Sequence, residues 1–115
     1  GENKQCPPQP APFYTDYRYQ QELFSFIRAL GKRYNNDPRV TALTIGPGYN
    51  EETAVTLLNT SCPYARDLYA KIGGPTAYAT FVFKVMQAYR QAFPQKMLYL
   101  QAGNAEWYQR GWFVQ

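Results

Sequence analysis

The chain contains no histidine. That removes the imidazole general base and the commonest transition-metal ligand from any mechanism built on these residues. Cysteine is nearly as scarce: Cys6 and Cys62 are the only two, too few for a zinc site between them. They suffice for one disulfide, and Asn59-Thr60-Ser61 is a formal glycosylation sequon. Both features point to an extracellular or secreted setting, although two free buried thiols fit the same count. No apolar run approaches the ~20 residues of a membrane-spanning helix, so no membrane partner is expected. The first residues, Gly1-Glu2-Asn3-Lys4-Gln5, lack the apolar core of a signal peptide, and any targeting segment is expected to be gone already.

Acidic residues are also in the minority, 8 against 12 Lys and Arg, for a net charge of +4. The basic residues are scattered. Arg28, Lys32 and Arg33 do cluster, at the end of a predicted helix where cations complement the macrodipole. They form no stripe of the kind that binds nucleic acid, and no nucleic-acid partner is expected. Apolar and aromatic residues are plentiful, 45% and 17% of the chain with eleven tyrosines. That is enough for a packed core and excludes global disorder. At 115 residues the chain is one domain or less.

Residues 1–15 read as an extended, proline-rich lead-in, because the four prolines between Gln5 and Tyr14 deny a helix or a central strand. Asp16 suits a helix N-cap. Behind it Leu23, Ile27, Leu30 and Tyr34 recur at helical spacing, with Phe24 and Phe26 widening the apolar face. The helix should run from about Tyr17 to Tyr34 and stop in Asn35-Asn36-Asp37-Pro38, since Pro38 disfavours helix at the residue before it. Arg39 to Ile45 is short, β-branched and apolar at both parities, which predicts a strand buried on both faces. It ends at Gly46-Pro47-Gly48. A long loop follows to Cys62, and long ordered loops in compact domains are usually functional. A short helix is expected between Tyr64 and Lys71, closed by Gly73-Gly74. Tyr78, Phe81, Val82, Val85, Met86, Tyr89 and Phe93 then form a continuous stripe, with Pro75 in the first turn and Pro94 as terminator. Lys96 to Gln101 reads as a second buried strand. Asn104 to Gln115 carries both tryptophans and no clear element.

The order is helix, strand, long loop, helix, strand. Such a crossover makes the two strands parallel, and the alternation is α/β patterning. The whole chain, 1–115, reads as a single partial domain.

Two runs carry a resemblance. One is Phe26-Ile27-Arg28-Ala29-Leu30-Gly31-Lys32-Arg33-Tyr34-Asn35-Asn36-Asp37-Pro38-Arg39-Val40. The other is Thr44-Ile45-Gly46-Pro47-Gly48-Tyr49-Asn50-Glu51-Glu52-Thr53. Together they resemble the third helix and fourth strand of the (β/α)8-barrel glycoside hydrolases, in the retaining clan that includes β-galactosidases and cellulases. The likeness spans roughly residues 12–103 and ends after the equivalent of the fifth strand. It implies a parallel βαβ segment of a TIM barrel and a carbohydrate substrate; no cofactor is expected, and no metal given the missing histidine and the two cysteines. The acid/base glutamate would lie in the loop after the fourth strand, at Glu51 by its preceding asparagine or at Glu52 by a glutamate-threonine ending. The nucleophile of the clan lies on the seventh strand, beyond these residues. A retaining site needs two carboxylates ~5–5.5 Å apart, so the segment is expected to be inactive in isolation.

Active sites of such barrels sit at the C-terminal ends of the strands. There Asn50 and Asn104 would hydrogen-bond sugar hydroxyls, while Tyr49, Trp107 and Tyr108 would stack on pyranose faces. A carboxylic acid among such aromatic surface would have a raised pKa and could protonate a glycosidic oxygen. A solvated loop or a helix start would place Glu51 and Glu52 equally well. The alternatives to an enzyme segment are a noncatalytic carbohydrate-binding protein and an extracellular structural or assembly subunit. The remaining strands of a barrel, or other copies of the chain, are then the expected partners.

Overall fold

The computed structural model describes residues 13–48, 67, 68 and 70–101. The first helix, α1, spans Tyr17–Tyr34. It begins where a side chain replaces the missing intrahelical acceptor: an Asp16 carboxylate oxygen accepts the Tyr19 N–H at 2.9 Å. Ile27 and Gly31 are buried on its inner face, with Leu23 and Phe24 partly buried beside them. Phe26 does not widen that face; it is 58% exposed, one position round the helix from Ile27. The lead-in is not extended to its end either. Residues 14 and 15 form a turn closed by Asp16 N–H to Phe13 C=O at 2.9 Å. Tyr14 is wholly buried, and its carbonyl accepts from the Gln20 side chain at 2.8 Å.

α1 ends through a built turn. The Asn35 N–H still donates to the Gly31 carbonyl at 2.9 Å, and the Asp37 N–H to Tyr34 C=O at 3.1 Å. Asp37 then captures Arg39 three times: backbone N–H at 2.9 Å, Nε at 3.0 Å and Nη2 at 2.7 Å. Because Arg39 and Val40 are committed to this turn, the first strand starts late. β1 is Ala42–Ile45.

Residues 67, 68, 70 and 71 are helical, and Leu68 and Ile72 enter the core. Gly73 and Gly74, at φ +97° and +86°, then turn the chain into α2, Gly74–Ala92, with Pro75 in its first turn. These φ values are the left-handed region where a Cβ is strained. The second strand, β2, is Met97–Leu100.

β1 and β2 are adjacent and parallel, with Ala42 opposite Met97 and Ile45 opposite Leu100. The Gln101 N–H extends the ladder to the Ile45 carbonyl at 2.8 Å. The fold is therefore mixed α/β with a parallel βαβ unit. The strands are not buried on both faces. Leu43, Ile45, Leu98 and Leu100 turn inward, while Met97 and Tyr99 are 58% and 57% exposed and Ala42 and Thr44 are open beside them. Residues alternate across a strand, and only one face here is packed by the core around α2. That core joins Ile27, Ile45 and Ile72 to Tyr78, Phe81, Val82 and Val85 of α2.

The helices touch closely. A Cβ at Gly31 would lie 2.5 Å from the Ala92 carbonyl oxygen and 2.7 Å from its Cβ, so only glycine permits this approach. Gly31 and Ala92 belong to the last turns of α1 and α2, and both helices therefore end on the same side of the molecule. Among the described residues no helix is long and apolar enough to cross a membrane.

Candidate functional site

Two parallel strands in register deliver their following loops to one side. Ile45 and Leu100 are partners in the ladder, and Gly46 and Gln101 are the next residues on each strand. Tyr49 lies four positions after Ile45 in sequence, and Asn104 four after Leu100. The roots of both candidate loops are thus adjacent at the C-terminal end of the sheet, where the catalytic loops of parallel βα folds arise.

The helices begin at this same end. α2 must return the chain to the start of β2 within the four residues between Ala92 and Met97, so its N-terminus lies beside the ends of the strands. α1 runs alongside it, touching it through Gly31 and Ala92 near one end and Tyr19 and Phe81 nearer the other. What supports this end is a cluster of rings. Tyr14 meets Tyr78 edge-on at 5.2 Å, Phe81 at 5.4 Å and Tyr19 at 6.3 Å between centroids. Tyr78 and Phe81 are 5.9 Å apart, and Tyr19 lies 6.2 Å from Phe81. Such pairs add about 0.5–1.5 kcal/mol each beyond the area they bury. The Tyr19 hydroxyl is pushed above its ordinary pKa by burial. Its neutral form makes it a hydrogen-bonding group, not a base, at physiological pH.

The tyrosines expected to face a sugar are not those of this cluster. Tyr49, Asn50, Glu51, Glu52, Asn104, Trp107 and Tyr108 all lie outside the described residues, as do Cys6 and Cys62 with their expected disulfide. The described approach to the first loop is Gly46, a buried Pro47 and Gly48. A proline in that position fixes φ and stiffens the loop's root. No group of three or more His, Cys, Asp or Glu that could hold a metal occurs among the described residues.

Two surface features were not singled out from the sequence. One is an apolar groove of about 550 Å³ between α2 and the inner face of β2, lined by Phe83, Met86, Leu98 and Leu100 with Arg90 at its edge. The other is a polar cleft of about 440 Å³ between the last turns of the two helices. The groove was legible only in part, through Met86 in the apolar stripe of α2. Arg28 and Lys32, four apart, were the signal for the cleft.

No protein-family model, curated protein or solved structure matches the chain.

Proposed function

We propose that this chain is a segment of a (β/α)8-barrel glycoside hydrolase of the retaining clan, carrying the acid/base end of the sugar site in Asn50-Glu51-Glu52. The observation that supports this reading most directly is the parallel register of Ile45 with Leu100, which gives the two candidate loops a common origin. In this reading the glutamate at position 51 or 52 protonates the leaving glycosidic oxygen and later deprotonates water. Asn50 and Asn104 hold hydroxyls, and Tyr49, Trp107 and Tyr108 supply apolar faces, the usual mixture for a sugar pocket. The nucleophile comes from strands outside these residues.

The test has two parts. Purified 115-residue chain should not turn over aryl β-glycosides, because one carboxylic acid cannot complete a double displacement. In a polypeptide that supplies the remaining strands, Glu51→Gln and Glu52→Gln should diverge. The true acid loses turnover on substrates with poor leaving groups by roughly 10²–10⁴-fold, and its neighbour changes little. Equal, negligible effects of both substitutions would end the enzyme reading.

A second reading, an assembly subunit, is favoured by the outer face of the sheet. Met97 and Tyr99 are more than half exposed there, on a sheet that has two strands among the described residues, and two strands are marginal alone. Assembly predicts concentration-dependent mass in sedimentation, lost in Tyr99→Asp; a strictly monomeric chain excludes it.

A further inference from the structure

The polar cleft lies between the C-terminal turns of α1 and α2, at the opposite end of the strands from Gly46 and Gln101. Its walls carry Arg28 and Lys32 from α1, Asn35 and Asn36 from the turn that follows, and Gln91 from α2. Its floor is the place where Gly31 meets Ala92. Among the described residues no carboxylate lines it. Asp37, the nearest acid in sequence, is already engaged in an ion pair with Arg39 at 2.7 Å.

Cations near helix ends ordinarily serve the exposed carbonyls there. Lys32 belongs to the last turn of α1 and meets that field, while other residues bond the carbonyls just past the two helices. Arg90 donates to the carbonyls of Phe93 and Lys96, each at 3.3 Å, and the Lys96 ammonium to the Asp37 carbonyl at 2.7 Å. Arg33 stands over the Tyr34 ring at 5.4 Å. Arg28 lies before the last turn of α1, beyond the reach of the macrodipole. Among the described residues, two cations therefore share one cleft with three carboxamides and no acid.

We propose that this cleft binds a tetrahedral oxyanion, a phosphate or sulfate group, through the Arg28 guanidinium and the Lys32 ammonium, with carboxamide N–H donors from Asn35, Asn36 and Gln91. An arginine fork fits two oxygens of such a group at once, and an ammonium adds a compact charge. Residues four apart on a helix have Cβ atoms only ~5–6 Å from each other, so both cations reach one anion. The site can be tested apart from the glycosidase reading, since it uses none of the candidate sugar-site residues and lies at the other end of the strands from Gly46 and Gln101.

The experiment is an amide-resolved NMR titration of the full chain with inorganic phosphate and, separately, inorganic sulfate, at ionic strength held constant with chloride. Saturating shifts are expected at the Gly31 amide and at the side-chain amides of Asn35, Asn36 and Gln91. Arg28→Gln and Lys32→Gln should each weaken binding about tenfold, as loss of a charge-assisted hydrogen bond does. Lys84→Gln, an exposed cation of α2 outside the cleft, should change nothing. Tighter phosphate than sulfate assigns a phosphorylated ligand, and the reverse a sulfated one. Shifts that never saturate, or an equal loss in Lys84→Gln, mean screening by salt and overturn the proposal. Should a cation variant lose its dispersed spectrum, Gln91→Leu repeats the test without changing charge, and unaltered affinity there overturns it too.

Discussion

At the N-terminal end of the strands polar groups tie the chain together, whereas at the C-terminal end aromatic rings do. The first end is a network of directed bonds: Asp37 holds Arg39, Lys96 holds the Asp37 carbonyl, and the Asn35 side chain accepts the Gln95 N–H at 3.4 Å. The last two of these bonds cross from the turn before β1 to the turn before β2, some sixty residues apart in sequence. The second end is held by Tyr14, Tyr19, Tyr78 and Phe81, whose contacts are broad and weakly directional. The difference matches a division of labour in parallel βα folds, where one end of the strands carries stability and the other carries variable loops. Polar pins fix the register from which the strands start. At the other end the four rings pack the starts of the two helices together.

Removing a ring should have the largest effect. Phe81 is essentially fully buried and touches Tyr14, Tyr19 and Tyr78. Phe81→Ala is expected to cost about 3–5 kcal/mol of unfolding free energy in urea, for the lost transfer energy and the cavity together. The loss should be insensitive to salt and to pH between 5 and 8, since no ionised group takes part. A loss under about 1 kcal/mol would mean that the ring cluster is loosely packed, and the contrast between the two ends would fail.

The sequence announced the parts of this molecule that local chemistry decides. Asp16 as cap, the stop after Tyr34 and the stripe of α2 were legible because capping and periodicity depend on residues within a few positions of each other. The adjacency of β1 and β2 was legible from the crossover. Burial of Tyr14 was not, because it depends on α2, more than sixty positions away in sequence. The covered face of the strands was also hidden: Leu98 and Leu100 point in and Met97 and Tyr99 out, yet all four are apolar or aromatic. Gly31 read as one letter of a family-like run. Its position four residues after Ile27, on the buried stripe, was the available clue to a close helix contact. The candidate acid, the sugar-facing aromatics and both cysteines remain sequence-based expectations, since they lie outside the described residues.

Gly31→Ala tests the first end by crowding it. The added Cβ would meet backbone, the Ala92 carbonyl oxygen at 2.5 Å, so the helices must separate. The intrinsic gain in helix propensity, about 1 kcal/mol for Gly to Ala, works against that strain. Overpacking costs about 1–3 kcal/mol, so net destabilisation of about 0–2 kcal/mol is expected in chemical unfolding. Stabilisation by the full propensity gain would show that α1 can shift freely, and the close approach would then be incidental.

The smallest expected effect is the most diagnostic of what the polar end is made of. The Arg39 guanidinium and backbone N–H, with Lys96 nearby, hold the Asp37 carboxyl below its ordinary pKa. A carboxylate depressed in the folded state stabilises it above the unfolded value, and that contribution is lost as pH falls through the folded pKa. Asp37→Asn keeps an oxygen to accept the Arg39 N–H and removes the charge. Wild type should therefore exceed the variant in Tm at pH 7, by a small margin because Arg39 is exposed to solvent. The margin should persist to about pH 4 and close below it, as the wild-type carboxyl takes up its proton. High salt at pH 7 should narrow the same gap, whereas the deficit of Phe81→Ala should stay where it is. A gap that ignores both acid and salt would show that Asp37 acts only as a turn-forming acceptor, and the polar end would then be held by hydrogen-bond geometry alone.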